Sequence, residues 1–291
     1  MTMAKNGNIV RLALPKGSMQ ESVFSLLADA GIRVRTSSRG YRPTISLADY
    51  ETKILRPQNM LEMLGLGTRD VGFAGADWVA ELGLDLEELL DTGLDPVRIV
   101  AAAPAEMLKN GKLPKRKLVI ASEYEALTRD WIAKKNIEAT FLRSYGATEV
   151  FPPEDADLIV DNTASGSTLK ANKLVIIDEL MTSSTRVYAN REALENRAKK
   201  ERIGHLVLLL QSVLEARNRV MMEVNVSEDQ LEAVIEILPC MREPTMSPLH
   251  GGAGYAVKVA VPRRKLPELI PEIKNRGGTD IVVTALSQIV P

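Results

Sequence analysis

The sequence predicts an α/β core followed by a separate βαββαβ unit, and three observations carry this. Short apolar runs alternate with amphipathic helical patterns through the first two thirds of the chain. The joints between them are brief and rich in Gly, Pro and Ser, which argues for a parallel sheet with helices on both faces. After Arg217 the composition changes, and one further strand–helix–strand–strand–helix–strand set closes the chain. At 291 residues the chain is long for one hydrophobic core, and about 100–200 residues per domain implies two or three.

Residues 9–14 read as the first strand and Pro15-Lys16-Gly17 as the turn out of it. Ser18-Met19-Gln20-Glu21 has the pattern of a capping box, so a helix starts there, carries Val23, Phe24, Leu27 and Ala30 on one face and stops at Gly31. Strands follow at 32–35 and 44–55, separated by a Ser/Arg/Gly loop over 36–42. Pro57 suits the first turn of a helix bearing Met60, Leu61 and Leu64, with Arg56 just ahead of it. Residues 70–77 read as a buried strand and a tight glycine turn. Asp77 fits the N-cap of a helix carrying Trp78, Val79 and Leu82. Trp78 and Trp131 both fall in helical patterns and suit a core. Lys16 suits either a functional turn or an ordinary solvated surface.

From residue 96 the order is strand to 103, strand 118–121, helix 123–135, strand 139–142, a helix from 147, and strand 157–160. Further strands are expected at 174–177 and 184–189, then one long helix over 191–215. The last unit reads as strand 219–226, helix 227–238, strands 245–249 and 255–261, helix 265–275 and strand 280–284.

The most informative stretch runs from Ala156 to Leu169. An apolar strand ends on Asp161, and a loop of small, mostly hydroxylic residues with one glycine follows. Backbone N–H groups and the hydroxyls of Thr163, Ser165, Ser167 and Thr168 can form a concavity for phosphate, with Gly166 allowing close approach. A carboxylate just upstream is placed to accept hydrogen bonds from two sugar hydroxyls, so the set suits a ribose 5-phosphate. The same residue types also make an ordinary strand-to-helix turn.

Composition narrows the partners. Hydrophobic content of 45% with 26% charged residues is that of a globular protein, and a formal charge of −1 gives no basis for a nucleic-acid or anionic-membrane surface. Any anion site must therefore be local. One cysteine, Cys240, excludes an intrachain disulfide and a cysteine zinc cage, and two histidines argue against a histidine metal cluster. The first eight residues lack the apolar core of a signal peptide, and no apolar run approaches a membrane span. A cytoplasmic location is the resulting expectation.

The ordered set Leu12-Ala13-Leu14-Pro15-Lys16-Gly17, Leu55-Arg56-Pro57, Gly72-Phe73-Ala74-Gly75-Ala76-Asp77 and Asp161 to Leu169 resembles the ATP phosphoribosyltransferases, which open histidine biosynthesis. Pro244 to Leu249, Val261-Pro262-Arg263-Arg264 and Gly277-Gly278 extend the resemblance to the regulatory domain of the family's long form. It implies a bilobed catalytic core like a type II periplasmic binding protein plus a ferredoxin-like regulatory domain. Lobe I would comprise residues 1–103 and 183–217, lobe II residues 104–182 and the regulatory domain residues 218–291. The implied substrates are ATP and phosphoribosyl pyrophosphate, with Mg²⁺ as cofactor, L-histidine as inhibitor and a homo-oligomer built from dimers to hexamers.

Carried over residue by residue, the resemblance gives Asp161 the ribose hydroxyls. Thr163, Ala164, Ser165, Gly166, Ser167 and Thr168 would hold the 5-phosphate. Lys16 and Arg56 would meet the charged substrates from the opposite lobe, Asp77 would line the cleft and Glu149 would stand at its edge. Glu223, Asn225 and Thr245 are the implied regulatory contacts, though Thr245 also fits the plain start of a strand. Ser18 stands where many members carry arginine, Ser165 replaces the usual threonine while keeping the hydroxyl, and Asn225 stands where the long form tends to have an acid. A non-enzymatic sensor with the same bilobed fold is the competing reading; it would have no need of a phosphate loop beside a sugar-binding acid.

Overall fold

The computed structural model describes residues 6–36, 40–240 and 243–290. The first five residues of the stretch read as lacking a signal peptide, and residues 37–39 of the Ser/Arg/Gly loop, lie outside them. The chain divides into two compact units, one made of residues 1–28 and 32–207, the other of 29–31 and 208–291.

In the first unit, strand β1 (Val10–Pro15) leads into helix α1 (Met19–Asp29), which buries Val23, Leu26 and Leu27. A small ribbon of β2 (Val34–Arg35) and β3 (Thr44–Ile45) precedes β4 (Tyr50–Leu55) and helix α2 (Pro57–Gly65). Proline at the first helical position costs no hydrogen bond there, and Met60, Leu61 and Leu64 of α2 are fully buried, each contributing roughly 1.5–3 kcal/mol. Then come β5 (Val71–Gly75), α3 (Ala76–Leu82) and the long β6 (Glu87–Pro104). These are followed by β7 (Leu118–Ser122), α4 (Glu125–Lys135), β8 (Ala139–Arg143), β9 (Leu158–Thr163) and α5 (Ser167–Ala171). The long β10 (Leu174–Ala189), α6 (Arg191–Glu195) and α7 (Arg197–Asn218) follow, and α7 is shared between the two units, its residues from 208 on belonging to the second.

The eight-stranded sheet has the order β4-β1-β5-β10-β6-β9-β7-β8. It is mixed rather than parallel. β4, β1 and β5 form one parallel group and β9, β7 and β8 another, while β10 runs antiparallel to β5 and β6, and β6 antiparallel to β9. Register fixes the consequence. Going up β5 from Val71 to Gly75, its partners on β10 descend from Ala189 to Thr185, toward the middle of that strand. Residues rising from Ile159 to Thr163 on β9 face Ala102 down to Arg98 on β6, again toward the middle of the long pair. The carboxyl ends of the two parallel groups therefore point at each other. Ligands in open α/β sheets bind outside those ends.

Several expected elements differ. Residues 174–177 and 184–189 belong to one strand, because the polar residues between them keep pairing with β6 through a series of bulges. A helix from 147 does not form; a single 3-10 turn, Thr148–Val150, stands there, and Pro152-Pro153 bars continuation. The helix expected over 191–215 is broken at Asn196, whose side-chain oxygen accepts from the amides of Ala198 at 3.0 Å and Lys199 at 3.2 Å and so restarts it as α7.

The second unit carries β11 (Arg219–Val226), α8 (Leu231–Ile235), β12 (Thr245–Pro248), β13 (Tyr255–Pro262), α9 (Leu266–Asn275) and β14 (Thr279–Ala285). Its sheet order is β12-β13-β11-β14, all antiparallel, which is the ferredoxin-like arrangement of a βαββαβ chain. Val220, Met222, Val224 and Val226 alternate inward against Val234, Leu269 and Ile273. Among the described residues no helix is long and apolar enough to cross a membrane.

Candidate active site

Lys16, Arg56 and Asp77 leave the carboxyl ends of three adjacent parallel strands. Pro15 pairs with Leu55, and the Lys16 amide donates to the Leu55 carbonyl at 2.8 Å, so Lys16 and Arg56 emerge side by side. Both are exposed. The Lys16 ammonium donates to the Tyr41 hydroxyl at 2.9 Å and lies 4.7 Å from its ring centre. Arg56 sits at the N-cap position of α2 and forms no ion pair among the described residues.

Asp77 is not the N-cap expected from the sequence. Gly75 occupies the N-cap of α3 and Asp77 is its second residue, 5% exposed. A Cβ on Gly75 would collide with Asp77 Oδ1, so the glycine lets the carboxylate fold back against the strand end. Its two oxygens are both satisfied: Ser183 Oγ on β10 donates to Oδ1 at 2.6 Å and the Tyr124 hydroxyl donates to Oδ2 at 2.7 Å. The Asp77 amide returns a bond to Ser183 Oγ at 3.1 Å.

Tyr124 comes from the other parallel group, just beyond β7. Ser122 Oγ donates to the Val160 carbonyl at 2.6 Å and accepts from the Tyr124 amide at 2.9 Å, which sets the turn. The phenol is buried, its ring 4.7 Å from that of Trp78, and burial together with the Asp77 carboxylate raises its pKa well above the ordinary tyrosine value. Asn162 Nδ2 donates to the Tyr124 oxygen at 3.1 Å, and the Asn162 amide donates to Asp161 Oδ1 at 2.7 Å. A continuous chain thus runs Ser183–Asp77–Tyr124–Asn162–Asp161.

Strand β9 does not end at Asp161 but continues to Thr163, so Asp161 is held by a paired backbone. Its carboxyl is pushed up to about 6: burial is the main cause, the nearby Glu149 and Glu123 add to it, and the Asn162 amide opposes it. Beyond Thr163 the loop is cross-braced. Thr163 Oγ1 accepts from the Gly166 amide at 3.0 Å, and Ser165 Oγ donates to Ser167 Oγ at 2.9 Å while accepting from the Ser167 amide at 3.3 Å. Gly166 adopts φ 79°, a left-handed conformation open to glycine at little cost, and α5 starts immediately after it. Ala164, Ser165, Ser167 and Thr168 are exposed.

The structure therefore gathers Asp77, Glu149 and the Asp161 loop around one chain of contacts. Lys16 and Arg56 share the facing strand ends without touching that chain. Sequence reasoning missed Tyr124, Asn162, Ser183 and Glu123; the one signal that could have flagged Tyr124 and Glu123 is that they follow an apolar strand run, as Asp161 follows the apolar run Leu158-Ile159-Val160. Among the described residues, no group of three or more His, Cys, Asp or Glu could hold a metal ion.

In the second unit Glu223, Lys258 and Thr245 are lateral neighbours on β11, β13 and β12, and Lys258 Nζ pairs with Glu223 Oε1 at 2.7 Å. Asn225 Nδ2 donates to Asp280 Oδ2 at 3.1 Å, so a carboxylate stands next to the uncharged amide.

Comparison with known proteins accords with this arrangement. The family model described as ATP phosphoribosyltransferase matches residues 56–212, and that described as HisG, C-terminal domain matches residues 216–288. The ATP phosphoribosyltransferase of Chlorobaculum parvum is 34% identical over 293 residues, covering 99% of this chain and 100% of that protein. That of Pelotomaculum thermopropionicum is 36% identical over 293 residues, covering 97% and 99%. A solved ATP phosphoribosyl transferase (HisG:HisZ) complex from Thermotoga maritima superposes with a TM-score of 0.64 at 28% identity, covering 71% of this chain and 99% of that one.

Proposed function

The chain belongs to the ATP phosphoribosyltransferase family, and on that premise we propose how its residues divide the work of joining ATP to phosphoribosyl pyrophosphate. In this reaction the adenine N1 lone pair forms a bond to the anomeric carbon as the bond to pyrophosphate breaks. Positive charge builds on the ribose and negative charge on the leaving group, so catalysis comes from positioning and electrostatics rather than from a nucleophile.

The observation that carries the assignment is Asp161: a partly buried carboxylate with a raised pKa, beside two further acids and directly upstream of the braced hydroxyl loop. Asp161 accepts hydrogen bonds from the ribose hydroxyls, and with Glu123 and Glu149 it supplies negative potential where the ribose becomes positive. The exposed hydroxyls and amides of residues 163–168 hold the 5-phosphate. Lys16 and Arg56, on the facing strand ends, receive phosphate charge, and Tyr124 and Asn162 keep Asp77 and Asp161 in fixed relation. Mg²⁺ would be held largely by substrate oxygens and water, as its hydration chemistry favours, and would offset negative charge on the leaving pyrophosphate.

For the second unit, we assign L-histidine to the open sheet face bearing Glu223, Asn225 and Thr245. Asp280 supplies beside Asn225 the charge that an amino-acid ammonium requires. Assembly into dimers and hexamers, as in the family's long form, is the accompanying expectation.

Purified protein mixed with ATP, phosphoribosyl pyrophosphate and Mg²⁺ is expected to release pyrophosphate and form phosphoribosyl-ATP, and Asp161→Ala to abolish this. Full activity in Asp161→Ala overturns the site assignment. Unchanged rates in excess histidine, or inhibition that persists undiminished in Glu223→Ala, overturn the assignment to the second unit.

A further inference from the structure

Arg69 is 9% exposed, yet no carboxylate among the described residues pairs with it. Its Nε donates to the Thr68 carbonyl at 2.8 Å. The neighbouring Asp70 is already engaged by Arg11 at 2.7 Å and Lys199 at 3.0 Å. None of the residues outside the described ones carries an acidic side chain. A buried guanidinium without a counter-charge is an unfavourable state that a bound anion relieves.

Arg69 lines a cavity of about 390 Å³ together with Arg42, Lys53, Thr44 and a single acid, Glu51. Arg42 and Lys53 form no ion pair among the described residues either. An adjoining hollow of about 240 Å³ shares Thr44 and Ile45 and adds Arg33 and Arg35. Burial is the main cause that lowers the Arg69 pKa, repulsion from Arg11 and Arg42 adds to it, and the nearby Asp70 and Glu51 carboxylates oppose it without reversing it. In a chain whose formal charge is −1, this is a local concentration of positive charge.

Its place in the fold separates it from Asp161. Arg69 precedes β5, and Tyr50 and Glu51 open β4, so the cavity sits toward the amino ends of the strands whose carboxyl ends deliver Lys16, Arg56 and Asp77. We infer that this cavity is a second anion site, taking a free phosphate or phosphate monoester on Arg69, Arg42 and Lys53. Three cations against one acid leave an excess of two, which matches the charge of about −1.5 to −2 on a phosphate monoester near neutral pH. The planar guanidinium fork offers paired donors to such an oxyanion, and the exposed Thr44 hydroxyl can add another. The inference does not depend on the phosphoribosyl reading of the Asp161 loop.

Amide hydrogen exchange of the full chain, followed peptide by peptide during titration with inorganic phosphate, tests it. Saturable protection is expected over residues 44–53. The phosphate concentration for half protection should rise about tenfold in Arg42→Ala and in Lys53→Ala, whose side chains stand at the accessible side of the cavity, and protection should vanish in Arg69→Met. Peptides covering 163–169 report separately on the Asp161 loop, so failure there leaves this result readable. No saturable protection over 44–53 in the wild type, or an unchanged half-protection concentration in both Arg42→Ala and Lys53→Ala, overturns the inference.

Discussion

Asp161→Asn should stabilise the protein while disabling it, and pH decides by how much. The Asp161 carboxyl is pushed from 3.8 up to about 6. Between those values the native state holds a proton that the unfolded state has released, so stability falls as pH rises through the interval. A shift of about two units corresponds to roughly 3 kcal/mol, at about 1.4 kcal/mol per unit, lost in full only above pH 6. Asparagine keeps an oxygen for the Asn162 amide at Oδ1 and removes the charge that Glu123 and Glu149 oppose. Denaturant unfolding of wild type and variant from pH 3.5 to 8 should therefore show no difference at the acid end and a gain approaching 3 kcal/mol for the variant at pH 8. Its kcat/KM should collapse over the whole range, whereas wild-type kcat/KM should fall below about pH 6 as Asp161 takes up its proton. A stability difference that is flat with pH, or that favours wild type at pH 8, refutes the claim that the ionised carboxylate is held at a cost.

Tyr124→Phe removes one of the two donors to a buried carboxylate and one acceptor of Asn162; leaving Asp77 half satisfied should cost about 1–3 kcal/mol in unfolding free energy. Steady-state kinetics should show a larger loss in kcat/KM than Trp78→Phe, which keeps the bond. Asp70→Asn breaks the ion group with Arg11 and Lys199 and should cost about 3–5 kcal/mol by denaturant unfolding. Against the desolvation that burial imposes, hydrogen bonds from Arg11 and Lys199 hold the Asp70 pKa below its ordinary value. Its contribution is therefore present above pH 4 and is lost as pH falls through that depressed value. Gly166→Ala places a Cβ on a residue with φ 79° and should cost about 1 kcal/mol of stability, with a rise in KM for phosphoribosyl pyrophosphate as the loop shifts.

What was legible in the sequence was local. The alternation over residues 219–226 survives as an eight-residue strand with every second side chain buried, and Pro57 begins its helix because nothing distant competes with that preference. The Asp161 loop was readable for the same reason: its acid, glycine and hydroxyls lie within eight residues. The antiparallel core of the sheet was not. Asp178, Glu179 and Ser183 interrupt the apolar pattern of β10, and only pairing with β6, more than 70 residues away, keeps them in a strand. Tyr124 reads locally as a residue opening a helix. It becomes a site residue through Asp77, 47 positions earlier, and Asn162, 38 positions later.

Three carboxylates withdrawn from water in the first unit show how partners separate structural from functional charge. Asp70 has two cations, and its pKa is lowered. Asp77 has no cation, but each oxygen receives a neutral donor, so both are accounted for within the fold. Asp161 has a donor on Oδ1 from Asn162, none on Oδ2 among the described residues, and two acids nearby. Folding alone gives no reason to keep an ionised group in that condition, since asparagine would satisfy the same amide without the repulsion. A ligand that brings hydroxyl donors and develops positive charge supplies the reason. The same test with the sign reversed sets Arg69 apart from Arg11 and Arg186, each of which has its carboxylates. Unpaired charge withdrawn from water is thus what sets both Asp161 and Arg69 apart from the other charged groups of the first unit.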